Sequence, residues 1–141
     1  MRKTVAVDAS FLRAFLQSAN RTPEISKLIE ALSSEHAKVI VPTPALAQVL
    51  THSPGKAESW MRTLNTYSCF QVRPFDDKAS FELTHLLGES VSGLRDILRF
   101  DRQIVAIAKV YGATVLYADD EQVIEFAETC GIRSKRLKDL G

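Results

Sequence analysis

Four short runs rich in β-branched and aromatic residues, KTVAV (3–7), KVIV (38–41), CFQV (69–72) and TVLY (114–117), are separated by much longer stretches that carry helix signals. Ser10 opens an apolar segment over 11–18. Thr22-Pro23 and Thr43-Pro44 each join a hydroxyl cap to a first-turn proline, and Ser53-Pro54 starts a further helix. Ile25, Leu28, Ile29 and Leu32 keep a 3.6-residue period, and Trp60, Met61 and Leu64 share one face. Asp76 caps a helix that runs to Gly88, Ser90 to Leu94 reads as a loop, and a long helix covers Asp96 to Tyr111 before Gly112 ends it. A helix from Asp120 to Thr129 follows, and Gly131-Ile132 starts a short last strand. Strands and helices in this alternation call for an α/β fold, a three-layer α/β/α sandwich around a central parallel sheet.

The 141 residues fit one domain. A net charge of +1 excludes a polybasic arm or a membrane-surface protein driven by net charge. No apolar run approaches the roughly 18 residues that span a bilayer. The N-terminal TVAV is broken by Asp8 and is too short for the core of a secretory signal. Cys69 and Cys130 lie far apart and form no CxxC pair, which leads to the expectation of reduced thiols in a cytoplasmic protein.

In open parallel sheets, ligands sit beyond the carboxyl ends of the strands. Two strands end in acid at that edge. VAVDAS places Asp8 after the first, and VLYADD places Asp119 and Asp120 after the fourth. A third acid, Asp101 in FDRQIVAIAKV, shares the helical stripe of Ile104, Val105 and Ala108 rather than the solvated face. A carboxylate there costs several kcal/mol unless its charge is matched. Acids converging on one edge repel, and a hard divalent cation such as Mg²⁺ or Mn²⁺ relieves that repulsion.

Each acid also has a plain structural reading. Asp8 caps the following helix, Asp119 or Asp120 caps the next one, and Asp101 pairs with Arg99 or Arg102. The shared placement of the three is what points to a site.

VAVDAS, VPTPALAQVL, FDRQIVAIAKVYGATVLYADD, PFDDKASFEL and the closing GIR resemble the PIN-domain family, and within it the VapC-type toxin ribonucleases. The resemblance covers nearly the whole chain in the correct order. It implies a Mg²⁺- or Mn²⁺-dependent endoribonuclease that acts on RNA, forms a homodimer and is neutralised by a small antitoxin. It assigns Asp8, Asp101 and Asp119 as metal-binding and catalytic acids, with Ser10 as the hydroxyl beside the first. Two positions depart from the family pattern. Gln48 stands where the second acid is a glutamate, and Ala118 where Thr or Ser precedes the aspartate. Gln48 keeps a carbonyl oxygen but removes one negative charge. Glu82, in PFDDKASFEL, is a candidate replacement carboxylate or a solvated helix acid. Asp120 either binds a coordinated water or caps its helix, the cap being the preferred reading.

Arg99 and Arg102 are the candidate RNA contacts, beside Arg95 and Lys109. Arg133, Lys135, Arg136 and Lys138 crowd the C-terminus, with a solvated polar face as the alternative. His36, His52 and His85 show no ligand spacing. Phe11, Phe15 and Leu16 read as core, and Cys69 as structural. A haloacid-dehalogenase-type phosphotransferase needs a second Asp where Ser10 stands. A receiver domain needs an Asp directly after CFQV, where Arg73-Pro74 stand. The serious alternative is a degenerate domain of the same fold that binds RNA or protein without cutting, and Gln48 and Ala118 support it.

Overall fold

Val5, Ala6 and Val7 are fully buried in β1 (Thr4–Val7), the central strand of a five-stranded sheet. This computed structural model describes residues 3–17, 19, 21–87 and 99–140. The other strands are β2 (Lys38–Pro42), β3 (Phe70–Arg73), β4 (Val115–Tyr117) and β5 (Arg133–Lys135). All pairings are parallel, in the order β3-β2-β1-β4-β5. The chain winds outward from β1 to β3, then crosses to the other side of β1. The strand order therefore reverses between β1 and β4, where open α/β sheets carry their binding crevice.

Seven helices flank the sheet among the described residues: α1 (Ala9–Leu16), α2 (Pro23–Ser34), α3 (Thr43–His52), α4 (Ala57–Thr66), α5 (Asp77–Leu87), α6 (Phe100–Val110) and α7 (Glu121–Thr129). Helices α5, α6 and α7 pack in series, and α3 lies against both α1 and α6. The α/β sandwich expected from the alternation is the fold observed. No helix among the described residues is long and apolar enough to cross a membrane.

Several boundaries differ from the sequence expectation. The first helix starts at Ala9 with Asp8 as its cap, so Ser10 sits inside the first turn. Thr43 is likewise inside α3, whose cap position is Pro42 with no side-chain bond. A 3₁₀ turn at Pro54–Lys56 precedes α4, and the last strand begins at Arg133. Gly112 and Gly131 have φ of 87° and 85°, the left-handed geometry that ends α6 and α7. The Gly88 cap, the 90–94 loop, Arg95 and the Asp96 helix start lie outside the described residues.

Phe11, Leu12 and Phe15 are among the largest fully buried side chains. The Phe15 ring lies 5.6 Å from Tyr67 and 5.4 Å from Phe70, so the aromatic face of α1 is core. Cys69 is buried, but it lies one residue before β3 rather than at its start, with the Ser33 hydroxyl at 3.5 Å from its Sγ. Asp76 caps α5 through the Ala79 N–H and accepts the Tyr111 hydroxyl, which ties the end of α6 to the start of α5.

Candidate active site

Asp8 is the one buried charged side chain among the described residues, 1% exposed. It stands at the carboxyl end of β1, next to the reversal of strand order. Its Oδ1 accepts the Phe11 N–H at 3.0 Å, capping α1, and the Ser10 hydroxyl at 2.6 Å. Oδ2 accepts no hydrogen bond from the described residues. Burial pushes the carboxyl up to about 6, the repulsion of Asp120 and Asp119 adds to the rise, and the Ser10 and Phe11 bonds oppose it. A buried acid facing further acids is a site short of positive charge.

Ser10 is a junction. Its Oγ accepts the Asp119 N–H at 2.8 Å while donating to Asp8, so the ends of β1 and β4 are joined through one hydroxyl. The expected placement of Ser10 beside the first acid is what the fold shows.

A cleft of about 330 Å³ opens in front of Asp8. Asp101, in the first turn of α6, forms a second acidic wall, and Gln48 of α3 and Asp120 at the start of α7 complete the polar lining. Asp120 Oδ1 accepts the N–H groups of Gln122 and Val123, so it is the cap of α7 as the sequence reading preferred. Asp101 is paired with Arg99 at 3.0 Å, with its side chain 11% exposed. The surface pairing weighed as an alternative for Asp101 is therefore present, and it lies inside the cleft.

Asp119 does not line this cleft. Its Oδ1 accepts the Leu137 N–H at 2.9 Å, holding the C-terminal 3₁₀ turn against the end of β4. Glu82 is not at the cleft either. It sits on α5, and its charge acts on the Cys130 thiol at the far end of α7. It is therefore no replacement for the acid missing at Gln48.

Arg13 and Phe100 are among the lining residues that sequence reasoning missed. Arg13 reaches the cleft one turn after Ala9, a helical spacing readable once the helix start is known. Phe100 stands at the lip, 53% exposed, where an apolar side chain has no packing reason to be. The basic residues do not form one rim. Arg102 lies over the Phe126 ring at 5.3 Å and lines an adjoining cleft of about 260 Å³ that shares Arg99, Asp101 and Gln122 with the first. Lys109 donates to the Cys130 carbonyl, and Arg136 pairs with Glu121.

Solved structures similar to this chain include chains of DNA-bound VapBC and FitAB complexes. One is VapBC2 from Rickettsia felis bound to a promoter DNA fragment, at a TM-score of 0.66 and 15% identity over 94% of this chain and 98% of that chain. A second is DNA-bound VapBC from Salmonella typhimurium, at 0.66 and 16% over 96% and 98%. The third is FitAB bound to an IR36 DNA fragment, at 0.63 and 11% over 94% of each chain. The fold is PIN-like. No family model and no curated protein sequence matches the chain.

Among the described residues, no group of three or more His, Cys, Asp or Glu side chains is placed to hold a metal ion. A cage of three acids does not fit this arrangement. Asp8, Asp101 and Gln48 line the same cleft, a donor set whose chemistry suits a hard cation. Asp8 and Asp101 supply oxygen donors, the Gln48 carbonyl is a neutral third, and Mg²⁺ commonly takes one or two carboxylates with water and substrate phosphate filling the rest.

Proposed function

We propose that the chain is a divalent-metal-dependent endoribonuclease of the VapC type, the toxin of a toxin–antitoxin pair. The observation that carries this reading is the buried, cation-poor Asp8 facing Asp101 across a cleft at the reversal of strand order. The likeness to chains of VapBC and FitAB complexes supports the fold on which it rests.

In this reading Asp8 and Asp101 hold Mg²⁺ or Mn²⁺, and Asp119, outside the cleft, contributes only its charge from the edge. The bound ion would supply Lewis-acid stabilisation of charge on the scissile phosphate and acidify the attacking water. Ser10 fixes Asp8 in one orientation and couples it to the β4 end, so the acid is preset before substrate arrives. Arg13 and Arg99 bring positive charge to the phosphate from opposite helices. Phe100 offers an exposed ring on which an unpaired base stacks, and the adjoining cleft along Arg102 extends the path for the strand.

The partners that follow are RNA, a small antitoxin and a second copy of the chain as a homodimer in the cytoplasm. Incubation with single-stranded RNA and Mn²⁺ tests the activity. Cleavage that stops with EDTA and is absent in Asp8→Asn and Asp101→Asn is the expected result, and undiminished cleavage in both variants contradicts it.

A second reading is favoured by Gln48 at the cleft and by the lack of a three-acid cluster. In that reading the fold binds RNA or protein without cutting. It predicts RNA binding that is indifferent to Mn²⁺ and no cleavage at any metal concentration.

A further inference from the structure

We propose that Arg99 is an internal counter-cation for Asp101, that a divalent ion must displace it, and that the released guanidinium then serves the RNA phosphate. The inference rests on the metal-dependent reading above.

Arg99 engages both oxygens of Asp101, Nε to Oδ1 at 3.0 Å and Nη2 to Oδ2 at 3.1 Å. This planar fork is the geometry in which a guanidinium binds a carboxylate best. It also puts a positive charge on the carboxylate that the metal would use, and two cations sharing one carboxylate repel. Among the described residues Asp8 has no such partner, so the two acidic walls differ: one is short of a cation and the other already has one.

The release is local. Arg99 occupies the cap position of α6 without any side-chain capping bond, and its side chain is 35% exposed. Among the described residues its guanidinium makes no hydrogen bond except to Asp101. Leaving Asp101 therefore breaks no other hydrogen bond among the described residues. Arg99 also lines both the acid cleft and the adjoining one, so a freed guanidinium remains beside the path proposed for the strand. Metal and RNA then favour each other through one side chain, and the coupling is reciprocal.

Mn²⁺ titration calorimetry on the full chain, for wild type, Arg99→Ala and Arg99→Lys, tests the first half. Arg99→Ala should bind Mn²⁺ about tenfold more tightly, with Arg99→Lys in between, because an ammonium cannot fork. Its metal-free melting temperature should fall and recover on Mn²⁺ addition, since the metal replaces the lost cation. Fluorescence anisotropy with a phosphorothioate-protected single-stranded RNA, with and without Mn²⁺, tests the second half. Mn²⁺ should tighten RNA binding several-fold more in wild type than in Arg99→Ala. Equal or weaker Mn²⁺ affinity in a folded Arg99→Ala overturns the displacement, and equal tightening of RNA in both proteins overturns the handover. If neither wild type nor variant binds Mn²⁺, the metal-dependent reading itself fails and takes this inference with it. If wild type binds and the variant matches it, only the inference fails.

Discussion

The Ser10 hydroxyl donates to Asp8 Oδ1 at 2.6 Å and receives the Asp119 N–H at 2.8 Å, so one small side chain holds the ends of β1 and β4 in register at the cleft. Ser10→Ala removes a hydrogen bond to a carboxylate and strips a backbone N–H of its partner. A loss of about 2 kcal/mol in urea denaturation is expected, together with weaker Mn²⁺ binding. A variant as stable as wild type would show that the junction contributes nothing.

Asp8 makes stability depend on pH in an unusual direction. Its carboxyl is raised from 3.8 to about 6 by burial, so between those values the folded chain holds a proton that the unfolded chain has lost. The associated stability is fully present below pH 3.8 and is lost as pH rises through about 6, an effect of about 3 kcal/mol. Asparagine caps a helix as well as aspartate and carries no charge to bury. In the absence of metal, Asp8→Asn should therefore melt several degrees higher than wild type at pH 7.5, and the gap should close by pH 4. Thermal melts across that range decide it, and a variant less stable than wild type at pH 7.5 contradicts the electrostatic account.

Gln48 lines the cleft without charge. Gln48→Glu restores a third carboxylate, so Mn²⁺ affinity should rise about tenfold while metal-free stability falls through repulsion with Asp8. Calorimetry paired with melting reads both effects. No gain in affinity would mean that position 48 is too far from the ion to serve as a ligand.

Phe100 is 53% exposed, so removing its ring leaves the core intact. Stacking of a base on an aromatic ring contributes about 1–3 kcal/mol. Phe100→Ala should weaken single-stranded RNA binding about tenfold or more by anisotropy, with Mn²⁺ affinity unchanged. Unaltered RNA binding would remove Phe100 from the strand's path.

The strands, the helix order and the position of Asp8 were legible because apolar alternation and strand-terminal acids are local patterns. The phase of α6 was legible too: Ile104, Val105 and Ala108 are buried, as the stripe that includes Asp101 required. What was not legible depends on distant partners. Asp119 is turned toward Leu137 by a bond to the C-terminal turn, and nothing in VLYADD announces that tail. Glu82 looked available because its helix phase is readable, but α5 brings its charge to the Cys130 thiol rather than to the cleft, which only tertiary packing decides. The first helix was misplaced by two residues because Ser and Asp cap equally well and both stand before it. That small shift is why Arg13 was missed.

Asp8 and Asp101 are proposed to share one divalent ion, and Mn²⁺ titration calorimetry on wild type, Asp8→Asn and Asp101→Asn tests this most directly. Wild type should bind Mn²⁺ at a saturable site, with affinity reduced by at least about tenfold in each variant. No binding to wild type, or affinities unchanged in both variants, would contradict it and leave the fold to a role in binding without cleavage.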